Sequence, residues 1–283
     1  MAADRMLRSA HADVRERTVM IDSKHPVAWI TGAGSGLGRA VALRLVAEGY
    51  LVAATSRSQR DLDDLAAEPA ANTAVHAFAG DVTDRAAMAA IAGRIEQALG
   101  PIDLIFLSAG AYIPFPIEQF SAEKTMDTMR LNVGGVANVL EAVLPRFLAR
   151  KHGHIAVVSS LAQYRGLCRT TAYGASKAAL LAMCETLYLQ GKDKGIKVQI
   201  VVPGYIKTRM TEKSPFALPH IMTAEYAAGE AVKGLKTNRF QITMPKHFVR
   251  KFQLARLLPA PIYFWYASRT PDFGGVRPAS GKG

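Results

Sequence analysis

Tyr173 and Lys177, four residues apart, are the pair of side chains in this sequence with the clearest potential for chemistry. On a helix, such residues lie one turn apart on the same face. A lysine ammonium beside a phenol favours the phenolate, so we expect the pKa of Tyr173 to lie below its ordinary value of about 10. A tyrosine tuned in this way exchanges a proton with an alcohol or carbonyl oxygen near neutral pH. An isolated pair of this kind more often belongs to an exposed helix surface, so the interpretation depends on other residues.

A glycine-rich turn near the start of the chain is the first of these. An apolar strand at 27–30 leads into Thr-Gly-Ala-Gly-Ser-Gly-Leu-Gly at 31–38, and an amphipathic run follows to Glu48. Glycines allow the backbone to approach a pyrophosphate, and the helix N-terminus offers free N–H groups. The spacing fits T-G-x-x-x-G-x-G rather than G-x-G-x-x-G. The pattern predicts a dinucleotide site after the first strand.

Two further polar residues belong with Tyr173, Lys177 and the glycine turn. Ser160 stands thirteen residues before Tyr173, at the end of an apolar strand, and Asn132 lies on a helix further upstream. Hydride transfer to a carbonyl leaves an alkoxide, which needs a hydrogen-bond donor and a proton source within reach. Ser159 is an alternative to Ser160, although the thirteen-residue spacing favours Ser160.

Together these motifs resemble the short-chain dehydrogenase/reductase family, in the family's order and spacing, over about residues 26–244. The resemblance implies an NAD(P)-dependent oxidoreductase acting on a hydroxyl or carbonyl group. It implies that Tyr173 is the general acid/base and that Lys177 lowers its pKa and binds the nicotinamide ribose. It also implies that Ser160 binds the substrate oxygen, and that Asn132 holds its helix open and anchors a water that relays the proton.

Strand and helix patterns alternate along the core, which predicts an α/β protein with a parallel sheet and helices on both faces. The resemblance implies a Rossmann-type doubly wound sheet of about seven strands in a single domain. The predicted strands are 27–30, 51–55, 75–79, 102–107, 155–159, 198–202 and 240–243, and the predicted helices are 36–48, 58–67, 84–99, 122–150 with a break near Pro145, and 172–192.

The residues after the second strand predict the cofactor. An NAD site usually carries an acid there for the ribose 2′-hydroxyl, but this chain has Ser56 and Arg57, and the acids at 61–64 follow later on a helix. A guanidinium suits a 2′-phosphate, so we predict NADP, with NAD as the alternative. Relatives that prefer NADP often carry a basic residue within the glycine turn. Ser35 stands there in this chain, and Arg39 is expected to substitute in part.

The resemblance implies further contacts with the cofactor. They are Thr31, Gly32, Ser35, Gly36, Leu37 and Gly38 of the turn, Asp81 and Val82 after the third strand, Ser108, Ala109 and Gly110 after the fourth, Tyr173 and Lys177, and Pro203, Gly204, Ile206 and Thr208 after the sixth. Asp81 has the alternative role of a turn or helix-capping residue. Ser108 stands where the family usually has asparagine.

Two segments are expected to select the substrate: residues 161–171, which include Tyr164, and a lid at about 204–223, which includes Tyr205. Both are mostly apolar, which favours a hydrophobic alcohol or carbonyl, although several of these residues equally fit a core. Cys168 is interpreted as a packing residue. The sequence predicts no metal site, since Cys168 and Cys184 form neither a disulfide framework nor a ligand cluster.

Composition limits the remaining possibilities. The 283 residues carry a net charge of +12, of which +9 comes from residues 233–283, where ten Lys or Arg face one acid. No apolar run reaches the roughly 18 residues of a membrane span, and the N-terminus has no apolar signal core. We predict a cytoplasmic protein with a flexible extension at 1–25 and a catalytic domain at 26–245.

The last predicted unit is a basic and aromatic tail at 246–283, divided by Pro259 and Pro261. Three interpretations remain open: peripheral contact with a membrane, packing on the body or a second subunit, and nucleic-acid binding, which rests on charge alone. The family implies a homodimer or homotetramer formed through the helices at about 122–149 and 172–192. The alternative to an enzyme is a non-catalytic dinucleotide-binding scaffold whose tail contacts a membrane or partner, and we predict no nucleic-acid partner.

Overall fold

Seven parallel strands form one sheet at the centre of the protein. The computed structural model describes residues 25–71, 73–209, 211–212 and 218–270. The strands are β1 (Val27–Thr31), β2 (Leu51–Thr55), β3 (Val75–Ala77), β4 (Ile102–Leu107), β5 (Gly153–Val158), β6 (Ile196–Pro203) and β7 (Gln241–Met244). The helices are α1 (Gly36–Ala47), α2 (Gln59–Ala66), α3 (Arg85–Leu99), α4 (Ala122–Met129), α5 (Gly135–Arg150), α6 (Thr171–Gly191), α7 (Ala224–Leu235), α8 (Lys246–Ala255) and α9 (Ala260–Ala267).

The strands are mostly apolar because helices cover both faces of the sheet. Successive residues of β1 show this directly, since Trp29 and Ile30 are both fully buried but belong to separate apolar clusters on opposite faces. The predicted α/β class, the doubly wound sheet and the single domain are confirmed. The ends of the predicted strands differ from the observed ones by at most two residues, which is the usual uncertainty of element ends.

The strand order is β3-β2-β1-β4-β5-β6-β7. β2 and β3 lie on one side of β1, and β4 to β7 lie on the other side, so the strand order changes direction between β1 and β4. A crevice opens outside the carboxyl ends of the strands at such a reversal, and open α/β sheets bind ligands there. The glycine turn after β1, Ser108 after β4 and Ser160 after β5 all lie at this edge.

The predicted helix over 122–150 is interrupted in a different place from the one we expected. A π-helical turn at Arg130–Gly134 separates α4 from α5 and contains Asn132, whereas Pro145 lies inside α5. The break predicted at Pro145 is wrong because the proline removes a single N–H, while Val143 and Phe147 on either side of it are fully buried. Single π-helical turns within α-helices are frequent at functional sites.

Helix α7 was not among the predicted elements, although the sequence carries its signals. The side chain of Thr223 accepts a hydrogen bond from the backbone of Tyr226 and caps the helix, and small and apolar residues follow at helical spacing. The predicted division at Pro259 is confirmed, since α8 ends at Ala255 and α9 begins at Ala260, whereas Pro261 lies in the first turn of α9. The predicted extension lies outside the described residues except for His25, as do Met210 and 213–217 of the predicted lid and 271–283 of the tail.

Candidate active site

A cleft of about 570 Å³ opens at the carboxyl edge of the sheet. It extends from the glycine turn, past the ends of β2, β4 and β5, to the segment after β6. Most predicted site residues line it: Gly32, Ser35, Gly36, Leu37, Ser56, Arg57, Asp81, Val82, Ser108, Ala109, Gly110, Ser160, Tyr173, Lys177, Pro203, Gly204, Tyr205, Ile206 and Thr208. The cleft therefore combines the turn suited to a dinucleotide with the side chains suited to proton transfer.

Three polar side chains converge near the middle of the cleft. Ser160, two residues after the end of β5, lines the cleft together with Tyr173, which lies in the first turn of α6, and its side chain acts on the pKa of the Tyr173 phenol. One turn further along α6, Lys177 is buried, with its Nζ 5.6 Å from the centre of the Tyr173 ring and donating to the carbonyl oxygen of Val158 at 3.0 Å. The hydroxyl of Ser159 instead donates to the backbone oxygen of Lys177, so Ser160 is the serine at the phenol.

Burial dominates the electrostatics of this cluster. It raises the pKa of Tyr173 above the ordinary value, while the neighbouring Ser160 side chain acts in the opposite direction without reversing the shift. The predicted lowering of the Tyr173 pKa by Lys177 is therefore wrong for this structure. The ammonium lies over the face of the ring and donates to Val158, and burial lowers the pKa of Lys177 itself to about 8.

Asn132 is fully buried beside the cleft and does not line it. Its Oδ1 accepts from the backbone N–H of Ala111 at 2.8 Å, and its Nδ2 donates to the Ala111 oxygen at 3.1 Å and to the Ser176 hydroxyl at 3.0 Å. The side chain thus connects the π-helical turn both to the segment after β4 and to α6. It fixes the relative positions of two walls of the cleft.

The glycine turn is tightly packed, and its glycines have separate structural reasons. Gly32 and Gly36 have positive φ values of +69° and +55°, which other residues rarely adopt. A Cβ on Gly38 would lie 2.3 Å from the carbonyl oxygen of Gly32. Ser35 is the N-cap residue of α1, and its side chain accepts no hydrogen bond from the helix. The first N–H groups of α1 are therefore not capped by a side chain and remain available to a ligand in the cleft. The turn meets the structural requirements of an anion-binding helix N-terminus.

We expect Gly38→Ala to lower the free energy of unfolding by about 1–3 kcal/mol, because the added methyl group forces two backbone segments apart. Dinucleotide binding is expected to weaken in parallel. The matched control is Gly93→Ala in α3, where the nearest atom is 3.9 Å from the new Cβ and alanine favours the helix. Thermal unfolding of both variants measures the difference, and equal stability of Gly38→Ala and wild type would contradict the close packing.

At the far end of the cleft, Arg57 is exposed and Asp81 lies nearby. The pKa of Asp81 is below its ordinary value, mainly because its carboxylate accepts from the backbone N–H of Thr83, with the Thr83 hydroxyl and the charge of Arg57 adding to the effect. Arg39, which was expected to act in part as a substitute cation, forms an ion pair with Glu68. It lines a small neighbouring pocket that shares Ser35 and Gly36 with the cleft.

Thr31 and Tyr164, like Asn132 and Gly38, lie outside the cleft lining. Thr31 is buried, and its hydroxyl accepts from the backbone of Ala109 at 3.4 Å, which links the ends of β1 and β4. Tyr164 was expected to contact substrate, but it is buried with its hydroxyl bonded to Gln241 and Gln253. The expectation for Tyr164 is therefore wrong, since its hydrogen-bond partners lie on β7 and α8.

Other residues of the cleft were not among the predicted site residues. The ring of Tyr112 lies edge-on to Tyr173 with 5.0 Å between their centres. Asp61 and Arg209 also line the cleft and lie 3.4 Å apart. An aromatic residue shortly after the Ala-Gly pair at the end of β4 was an available signal for Tyr112, whereas the contact between Asp61 and Arg209 joins residues 148 positions apart. Among the described residues, no group of three or more His, Cys, Asp or Glu side chains could hold a metal ion.

Comparison with known proteins agrees with this geometry. The family model described as short chain dehydrogenase matches residues 26–217. An uncharacterized oxidoreductase of Myxococcus xanthus is 33% identical over 245 residues, which cover 86% of this chain and 97% of that protein. A 3-oxoacyl-[acyl-carrier-protein] reductase of Thermotoga maritima is 34% identical over 190 residues, which cover 67% of this chain and 77% of the relative.

A solved structure extends the comparison to the fold. A short-chain dehydrogenase from Streptomyces avermitilis superimposes with a TM-score of 0.75 and 28% identity, covering 83% of this chain and 92% of that one. The chain belongs to the short-chain dehydrogenase/reductase family and is an oxidoreductase of that family. In the described part of the chain, no helix combines the length and apolar character needed to cross a bilayer.

Proposed function

We propose that the protein is an NADP-dependent oxidoreductase that interconverts a hydrophobic alcohol and the corresponding carbonyl compound. The observation that carries the proposal is that Ser160, Tyr173 and Lys177 line the same cleft as the glycine turn, with Lys177 one helical turn from Tyr173. A nicotinamide dinucleotide bound there supplies or accepts the hydride. The open N-terminus of α1 and the closely packed glycines fit its pyrophosphate.

The proposed role of each side chain follows from its position. In the reductive direction the Tyr173 hydroxyl donates its proton to the carbonyl oxygen, and the raised pKa keeps that proton in place at neutral pH. Ser160 donates a hydrogen bond to the same oxygen as negative charge develops on it. Lys177, one helical turn from Tyr173 in the cleft, binds the nicotinamide ribose. Asn132 positions α6 relative to the segment after β4.

The proposal of a hydrophobic substrate rests on the walls around this cluster. Tyr112, Leu161, Leu167, Tyr205 and Leu218 contribute apolar surface to the cleft. A carbonyl group is also the group reduced by the relative from Thermotoga maritima, according to its name. A panel of ketones of increasing apolar size, assayed with NADPH and followed by its absorbance, tests the proposal. Cofactor binding without turnover across the panel would favour a non-catalytic scaffold.

The preference for NADP rests on Arg57. This side chain is exposed at the cleft, and within the described part of the chain it has no carboxylate within 4.0 Å. Asp61 would repel a 2′-phosphate, but Arg209 lies 3.4 Å from its carboxylate and offsets that charge. Arg57 therefore remains as the cation for the phosphate.

We expect Arg57→Ala to weaken NADPH binding by about tenfold or more, because a charge-assisted contact with phosphate is lost. NADH binding should change less than about twofold, because NADH has no 2′-phosphate. Titration followed by intrinsic fluorescence measures both affinities. Arg60→Ala, which removes an exposed arginine three residues later on α2 and outside the cleft lining, is the control. Equal losses for the two nucleotides in Arg57→Ala would contradict the assignment.

We further propose a homodimer or homotetramer that uses α4, α5 and α6. Met126, Leu148 and Leu189 expose apolar side chains on these helices, which supports a contact between copies. The free cysteines Cys168 and Cys184 support a reducing, cytoplasmic setting. Light scattering of the purified protein tests the oligomeric state.

A further inference from the structure

An apolar surface lies on the outer side of the two C-terminal helices, and none of its residues lines the cleft. The large side chains exposed there are Leu254, Leu257, Ile262, Phe264, Trp265 and Tyr266. We call this surface, together with the cations beside it, the α8–α9 face. Trp265 and Phe264 have 60% and 65% of their surface exposed, and Leu257 in the connecting turn has 79%. Exposure of this size in neighbouring aromatic residues marks an interaction site rather than ordinary surface.

Both helices are held firmly against the protein, so the face is a stable surface. Phe248 and Phe252 of α8 and Tyr263 of α9 are buried in the same apolar cluster. The Tyr263 hydroxyl donates to the carbonyl oxygen of Gly166, and the Arg165 guanidinium donates to the Leu258 oxygen and lies 4.5 Å from the Tyr263 ring centre. Because these buried side chains face inward, the opposite sides of α8 and α9 point outward together.

Cations accompany the exposed apolar residues. Arg250 and Lys251 share the outward side of α8 with Leu254, Arg256 follows in the connecting turn, and Arg269 stacks on the Trp265 ring at 5.0 Å. The sequence contains no Asp or Glu from residue 246 to residue 270. An aromatic surface beside basic residues is the pattern of a segment that lies in a membrane interface.

We propose that the α8–α9 face docks the protein on an anionic lipid surface. Phe264, Trp265 and Leu257 would enter the boundary between headgroups and acyl chains, while Arg250 and Arg256 contact lipid phosphates and carboxylates. Charge favours this occupant over a second copy of the chain. A two-fold contact through the same face would set these cations against their own copies, with no acid from 246 to 270 to compensate.

The position of the face connects docking with access to the cleft. Gly166 and Arg165, which contact α9 and the turn before it, directly precede Leu167 and Cys168 in the cleft wall. The edge of the cleft is therefore attached to the surface that would meet the lipid. This arrangement suits apolar molecules that partition into membranes, an extension that rests on the proposed function, whereas docking itself does not.

The test is sedimentation of the full chain with vesicles of phosphatidylcholine, with and without about one third phosphatidylserine. We expect binding to the mixed vesicles that decreases with salt and is weak without phosphatidylserine. Phe264→Ser/Trp265→Ser is expected to lower the partition coefficient by at least about tenfold. The matched control is Ile117→Ser/Phe120→Ser, which removes two large apolar residues of 86% and 59% exposure elsewhere on the surface.

A second pair of variants tests the charges independently of the aromatic residues. Arg250→Gln/Arg256→Gln should weaken binding to the mixed vesicles by about fivefold for each charge removed. The control, Lys192→Gln/Lys194→Gln, removes two exposed charges after α6 and should leave binding unchanged. Circular dichroism and NADPH binding establish that each variant is folded.

Several results would overturn the proposal. One is failure of the wild-type protein to sediment with the mixed vesicles. Another is equal binding by the two test variants and their controls. A third is a smaller oligomer in Phe264→Ser/Trp265→Ser without any vesicle binding by the wild type, which would assign the face to a second copy. Loss of vesicle binding in both test variants, with NADPH turnover intact, would establish docking separately from the reaction.

Discussion

Tyr173→Phe will lower kcat/KM for carbonyl reduction by about 10²- to 10⁴-fold, the usual contribution of a positioned general acid. The substitution removes one hydroxyl and keeps the ring, so its packing against the edge of Tyr112 at 5.0 Å is retained. NADPH affinity should therefore change little. Steady-state kinetics with the best substrate from the ketone panel, together with a fluorescence titration, separate the chemical step from binding.

The matched control for this variant is Tyr112→Phe, which deletes the neighbouring phenolic hydroxyl in the same cleft. We expect less than about a tenfold effect, because at most one hydrogen bond to substrate is lost. If the two variants lost activity equally, proton transfer by Tyr173 alone would not explain the loss. If Tyr173→Phe kept its full activity, the proton would have to come from another group.

Lys177→Met will lower activity by about 10²-fold and will also change how stability depends on pH. Burial lowers the pKa of Lys177 from the ordinary value of 10.5 to about 8. Because the folded-state pKa lies below the unfolded-state value, the unfolded chain binds more protons between about pH 8 and 10.5. The destabilising contribution of Lys177 therefore has its full size below about pH 8, and it disappears as the pH rises towards 10.5.

The stability of Lys177→Met relative to wild type should accordingly be most favourable at neutral pH and should decline from about pH 8 to 10.5. Loss of the hydrogen bond to Val158 offsets part of the gain by a similar amount at each pH. Denaturant unfolding at several pH values measures the difference. A constant difference across this window would show that Lys177 is not perturbed in the folded protein.

Lys197→Met is the control for the activity measurement. Lys197 also has a pKa lowered by burial and donates to a backbone oxygen, that of Leu235, at 2.7 Å, but it lies at the other end of β6 from the cleft. We expect it to affect stability and to leave kcat/KM unchanged within about twofold. A loss of activity equal to that of Lys177→Met would assign the effect to general destabilisation rather than to the site.

Much of this protein was predictable because the signals are local in sequence. Apolar runs separated by turns predict the strands, and the alternation with helices predicts a parallel sheet. The glycines at 32–38 predict a tight turn before α1, and four-residue spacing places Tyr173 and Lys177 on one side of α6. The convergence of Ser160 with these residues also follows from topology, since the carboxyl ends of parallel strands share one edge of the sheet.

Contacts between distant segments decided the burial, pKa values and neighbours of the site side chains, which local patterns could not predict. The sequence predicts that Lys177 lowers the pKa of Tyr173, but burial raises it, because neighbouring elements exclude water from both groups. Tyr164 is buried against β7 and α8, while the ring of Tyr112 lies edge-on to Tyr173, a contact between segments far apart in the sequence. The sequence by itself determined the order of the elements and the choice of candidate reactive groups, because backbone propensity and side-chain chemistry are local properties. The tertiary structure alone decided their solvation and mutual distances, because desolvation and electrostatic interactions depend on atoms that only folding brings together.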